Sequence, residues 1–300
     1  MSSPLPSVAL TRWLLQRAKT SRRGFTLTEL LVAIVVGSII LTSLLYLVIE
    51  LLGTNLREER LTQAQQDTRR ALDYISRDTR EAVFVYADPA AVAGQLTDAP
   101  ADSTPVLAFW RLKPIDIGAI AGCNTDECET LRVRQSVYDL VVYFHKSNAP
   151  GDIWSGPGRI IRYELTNYSN LANQTPTPGY VDPSKTRDGF ALWSPTGATS
   201  GSRPVLADFI DVHDPDLGDV ECPEPFLPAT AQESNAFFVC VSDMGAGANP
   251  LNQSMSVFLR GSTADTGTGT AIIFGPTSAG SSLPVISTEV LVRGRIETQL

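Results

Sequence analysis

At 300 residues the chain has room for one or two domains, and its 32 Asp and Glu against 24 Lys and Arg leave a formal charge of −8. The acidity is uneven: the first 24 residues hold five of the basic side chains and no acid, so the remainder, 19 basic against 32 acidic, sums to −13. That balance argues against nonspecific nucleic-acid binding as the main work, because such binding depends on neutralising phosphates.

Residues 1–21 are polar and basic without a pattern, and disorder is expected there. From residue 22 the character changes. Arg22, Arg23 and Gly24 precede a long apolar run, and residues 30–49 carry no charge at all. At about 1.5 Å per residue such a run crosses the ~30 Å hydrocarbon core as a helix. Five basic residues before it (Arg12, Arg17, Lys19, Arg22, Arg23) have no acidic neighbours, which keeps the N-terminus in the cytoplasm and sends the rest across. An ordinary cleaved signal peptide has a shorter apolar region with a small-residue cleavage site after it. A simple signal anchor explains the length but not Glu29, an acid that costs about 2.5–3.5 kcal/mol at a membrane centre and less near the edge.

Gly24-Phe25-Thr26-Leu27-Thr28-Glu29 followed by an apolar helix resembles the cleavage and methylation signature of type IV pilins and type II secretion pseudopilins. The resemblance implies leader cleavage between Gly24 and Phe25 by a prepilin peptidase, N-methylation of Phe25, and retention of the apolar helix. It also implies an inner-membrane assembly platform and other pilin or pseudopilin subunits as partners. Glu29 becomes the assembly residue, its carboxylate pairing with the Phe25 ammonium of a neighbouring subunit or resting on its own helix N-terminus. Tyr46 stands where many major pilins carry a helix-breaking proline. The expected organisation is a leader over 1–24, a transmembrane and fibre-core helix over 25–52, and an extracytoplasmic β-rich head over 53–300.

Beyond Leu52 the helical pattern persists, with Gly53 as a point of loosening. Leu56, Leu61, Ala64, Thr68, Leu72, Ile75, Thr79 and Val83 form one stripe that packs on the head's own sheet. Arg57, Glu58, Glu59, Arg60, Asp67, Arg69, Arg70, Asp73, Arg77 and Asp78 are assigned to the charged opposite face. Residues 65–80 resemble the helix end of PilW-like minor pilins and J-type pseudopilins. After Ala87 the period shortens and strands are expected over 83–87, 105–113, 135–146, 159–166, 204–212, 236–242, 253–260, 271–274 and 288–293. Residues 141–144 and 237–239 are the expected central strands. Residues 88–104, 167–188 and 261–270 read as loops, and 261–282 as a mobile surface loop. A long helix followed by strands gives an α+β fold.

The cysteines fall as Cys123/Cys128 and Cys222/Cys240, with sequential pairing favoured among three formal connectivities. Their spacing matches no common zinc finger. Chemistry is otherwise sparse. His145 and His213 belong to no nucleophile or metalloprotease motif. Asp265-Thr266-Gly267 is a single copy of a tripeptide whose protease chemistry needs two carboxylates. Asp208, Asp211, Asp214, Asp216, Asp219 and Glu221 crowd one segment without EF-hand spacing, which leaves Asp211, Asp214, Asp216 and Asp219 as weak calcium candidates and no cofactor otherwise. The expectation is therefore a non-enzymatic minor type IV pilin. The alternatives are a J-type pseudopilin and, from a different class, a membrane-anchored binding or sensor head.

Overall fold

The apolar run and the stripe that follows it fold as one helix, α1 (Leu27–Arg80). It continues through Gly53 without a break: a single glycine costs a helix about 1 kcal/mol, too little to end one this long. The structure, a computed structural model, describes residues 24–120, 125–186, 188–212, 222–224, 226–229, 234–242, 254–265 and 282–292. The chain divides into two compact units at residues 56/57, and α1 contributes to both.

In the second unit, β1 (Ala82–Val85), β2 (Thr104–Pro114), β3 (Ser136–Ser147), β4 (Gly158–Leu165) and β7 (Val205–Ile210) form an antiparallel sheet in the order β1-β2-β3-β4-β7. A second antiparallel sheet runs β11-β10-β9-β8, from Ile286–Leu291, Ser254–Leu259, Phe237–Ser242 and Phe226–Pro228. Strands β3 and β9 are internal, as their apolar content requires. The short pair β5 (Tyr168–Asn170) and β6 (Thr175–Pro176) stands apart. The expected strand over 271–274 lies outside the described residues.

One apolar cluster joins three layers. It takes Ala71, Leu72 and Ile75 from α1, Leu107, Phe109, Val141 and Ile160 from the first sheet, and Phe237, Val239, Met255 and Val257 from the second. Alternate residues of the first sheet, among them Ala108, Trp110, Leu140, Val142, Phe144 and Tyr163, point the other way into a second cluster. The stretches expected to be loops cover this side. Residues 88–104 contain a short helix, α2 (Pro89–Ala93), capped by Asp88, and residues 167–188 supply Tyr180 and Val181, followed by Phe190 and Trp193. Each buried aromatic with a polar end is served: Trp110 Nε1 donates to Tyr86 Oη at 2.8 Å, which donates to the Phe190 carbonyl at 2.6 Å, and Trp193 Nε1 donates to the Val181 carbonyl at 2.9 Å. The sheet is thus buried on both faces, which explains runs such as Val141-Val142-Tyr143-Phe144.

The head also holds a helix that periodicity did not announce, α3 (Asp126–Arg134). Thr125 caps it by accepting from the Cys128 amide, acids occupy its first turn and arginines its last. At nine residues with little apolar stripe, its signal lies in its ends. The stretch assigned to a mobile loop begins differently: Gly261 bridges Ile210, Ser262 bridges Ser282, and residues 260–263 are buried. Residues 266–281 lie outside the described residues.

Candidate processing and assembly site

Residues 24–26 belong to no helix or strand and are exposed, and helix α1 starts only at Leu27. Around Gly24 an added Cβ would meet nothing within 4 Å, and Phe25 is 80% exposed. The Gly24–Phe25 bond therefore lies outside hydrogen-bonded structure, in the form a peptidase can thread. Two residues on, Thr26 and Glu29 close on each other. The Glu29 amide donates to Thr26 Oγ1 at 3.3 Å, while Glu29 Oε2 accepts from the Thr26 amide at 3.2 Å and from its hydroxyl at 3.1 Å. This reciprocal pair is a capping box, a Thr-x-x-Glu pattern that satisfies two helix-end donors. It gives Glu29 a local role beside its expected intersubunit one: the carboxylate is held at the helix start next to the position where cleavage would free an amine.

The side chains that follow face outward. Across the most apolar 18-residue window of α1 no residue is buried, with Leu30 at 56% and Ile39 at 63% exposure. Three hydroxyls are turned inward: those of Ser38, Thr42 and Thr54 donate to the carbonyls of Val35, Ser38 and Glu50 at 2.8, 2.7 and 3.0 Å. Apart from Ser43 and Tyr46 the outer surface over residues 30–49 is apolar, which suits lipid or neighbouring apolar helices. Tyr46 sits within unbroken helix.

At its other end α1 is fastened by charge. Asp78, expected on the exposed face, is instead 6% exposed, because the last turn lies over strands that present cations to it. Arg111 Nη1 donates to Asp78 Oδ1 at 2.8 Å, and Arg162 Nε and Tyr143 Oη donate to Oδ2 at 2.8 and 2.7 Å. Glu164 closes the ring, accepting from Arg111 Nη2 at 2.5 Å and Arg162 Nη1 at 2.7 Å. Burial pulls the Glu164 carboxyl up, but Arg162, Arg111 and Lys113 outweigh it and hold the group at about 2. Beside it, burial dominates for Asp139, which is raised despite Lys113 at 3.2 Å. The signal for this network was legible: Arg111, Asp139, Arg162 and Glu164 interrupt otherwise apolar strands.

The other candidates separate. Cys222 and Cys240 form a disulfide, Cα atoms 5.7 Å apart. Cys128 is disulfide-bonded too, while Cys123, the partner expected for it, lies outside the described residues. Asp208 accepts from the Ser155 and Gly156 amides and from Asn148, and Asp211 is buried against Arg260 Nε at 2.7 Å, so both are engaged within the fold. Asp214, Asp216, Asp219, Glu221 and His213 lie outside the described residues. His145 is buried against Phe237, with ring centroids 6.5 Å apart.

Residues 19–45 match the family described as the prokaryotic N-terminal methylation motif. No curated protein and no solved structure matched the chain. The motif supports a type IV pilin- or pseudopilin-like prepilin and implies processing by prepilin peptidase and assembly with other pilin subunits. With the apolar helix it points to a membrane-anchored protein that becomes part of a pilus.

Proposed function

We propose that the chain is a minor type IV pilin. It is stored in the inner membrane by α1 with its head outside, cut between Gly24 and Phe25, methylated at Phe25, and incorporated into or used to prime a pilus. The carrying observation is the methylation motif over residues 19–45 set on a capped helix whose apolar side chains over residues 30–52 are exposed. An assembly platform would move that helix from lipid into a bundle of like helices, where Leu, Ile and Val packing replaces lipid contact. The basic residues ahead of the helix support the orientation. The size of the head and the PilW-like residues 65–80 support the minor assignment. We assign it neither an enzymatic activity nor a cofactor.

Mass spectrometry of the mature protein tests the reading. The expected N-terminus is methylated Phe25, and an intact Met1 or any other start would remove it. The same residues 65–80 favour a J-type pseudopilin as the second reading. Deleting the protein separates the two: loss of pili with normal secretion fits the first, and loss of exported proteins with normal pili fits the second. Retained pili and secretion together would favour an anchored binding or sensor head.

A further inference from the structure

Lys113 and Asp139 lie on the α1-facing side of neighbouring strands. Arg111 stands opposite Asp139, and Lys113 opposite Val137, which places Lys113 diagonal to Asp139. Lys113 Nζ is 3.2 Å from Asp139 Oδ2 and 3.7 Å from Glu164 Oε1. Asp139 is wholly buried, and its two oxygens differ. Oδ1 accepts from the Asn167 amide at 3.4 Å, whereas Oδ2 faces the Lys113 amine at 3.2 Å, with Arg111 Nη2 farther off at 4.0 Å.

We propose that Lys113 and Asp139 condense into an intramolecular amide, a covalent tie between β2 and β3, with Glu164 as proton carrier. Starting from ammonium and carboxylate, one Nζ proton passes to Oδ2, leaving a neutral amine and a neutral acid. Burial already favours that acid form. The amine then attacks Cγ. Glu164 Oε1 takes the second Nζ proton and hands it to the departing hydroxyl, returning to its carboxylate. One N–C bond forms, one C–O bond breaks, and one water leaves. No oxidant or co-reactant is needed.

Two features favour the product. A pair held in one geometry reacts at an effective concentration of about 10⁵–10⁸ M, and the carboxyl carbon of a wholly buried side chain is shielded from bulk water. The half-exposed Lys113 side chain gives the product water its way out. Charge balance improves as well: the reaction removes the least well-served buried carboxyl with its lysine. Asp78 and Glu164 then stand against Arg111 and Arg162 as a matched set.

The test uses the full-length protein, purified in detergent, reduced, denatured and digested. The expected result is one species joining the peptide with Lys113 to the peptide with Asp139, one water lighter than their sum and absent from Lys113→Arg. Recovery of the two peptides unjoined, with Lys113 open to an amine reagent in denaturant, overturns the proposal. Because the wild-type chain alone decides between these outcomes, a variant that fails to fold does not obscure them. Glu164→Gln is expected to join at least tenfold more slowly, and joining at the wild-type rate would remove Glu164 from its role.

Discussion

Asp78 is the residue on which the head's charge pairing converges, and its three donors come from three different strands. Deleting its carboxylate leaves two buried arginines, Arg162 with its side chain 5% exposed and Arg111, to share Glu164. Removing one member of a buried pair costs about 3–5 kcal/mol because the other charge stays behind. Asp78→Ala is therefore expected to lower head stability by about that amount in urea unfolding, and a change below about 1 kcal/mol would show that the arginines relax into water. His145 gives the matching pH experiment. Burial pushes it down to about 4, a hydrogen bond to the Asp211 backbone acting weakly against this, and its Nε2 has no partner among the described residues. The folded state thus binds its proton less readily than the unfolded chain, whose histidine titrates near 6.5. Stability is complete above about pH 6.5 and declines as pH falls from there to about 4, by up to roughly 3 kcal/mol. His145→Phe is expected to flatten that part of the stability profile. An unchanged slope would place the titration elsewhere.

Among elements, α1 combines the clearest sequence signals with the least expected contact. Its apolar length was legible in residues 30–49 and its packing stripe in Ala64, Thr68, Leu72, Ile75 and Thr79, all buried. Its start, expected at residue 25, falls at Leu27 behind the Thr26 cap, and Val83, assigned to the stripe, lies in β1 beyond the helix end. Asp78 was not legible, because helical spacing assigns a residue to a face but cannot say where a facing strand offers arginine. For the same reason α2 and α3 escaped notice: short helices depend on caps such as Asp88 and Thr125 rather than on a long stripe. The β-strands were legible wherever apolar runs were long, and the short β5, β6 and β8 were missed, the first two within residues 167–188, expected to be a loop. One close approach to α1 is open to test. A Cβ on Gly261 would come within 2.2 Å of Thr68 Oγ1, and that hydroxyl is held by the Ala64 carbonyl at 2.7 Å. Gly261→Ala should push the loop off the helix at a cost of about 1–3 kcal/mol. Adding Thr68→Ala makes room, so the double variant should recover at least half the loss; strictly additive losses would show that the contact is not what the glycine serves.

At the scale of the whole molecule the question is which parts stand alone. The second unit carries two apolar clusters, paired buried charges and the Cys222–Cys240 disulfide across a separation of 18 residues, a link that contributes about 3 kcal/mol by restricting the unfolded chain. Residues 25–52 contribute nothing to either cluster, and their apolar side chains are exposed. An exposed apolar surface of that extent has no stable place in water. Lipid or apolar helices would cover it, as the proposed membrane-stored fibre subunit requires. The head, by contrast, has its own core and should not need that cover. A chain beginning at Gly53 is therefore expected to be soluble without detergent, to sediment as a monomer, and to unfold in one cooperative transition whose midpoint falls on reduction. The full-length chain should require detergent or membrane and lose that requirement when residues 1–52 are removed. If the shortened chain aggregates or melts without cooperativity, the apolar helix is part of the head's stability, and its assignment to membrane and fibre alone fails.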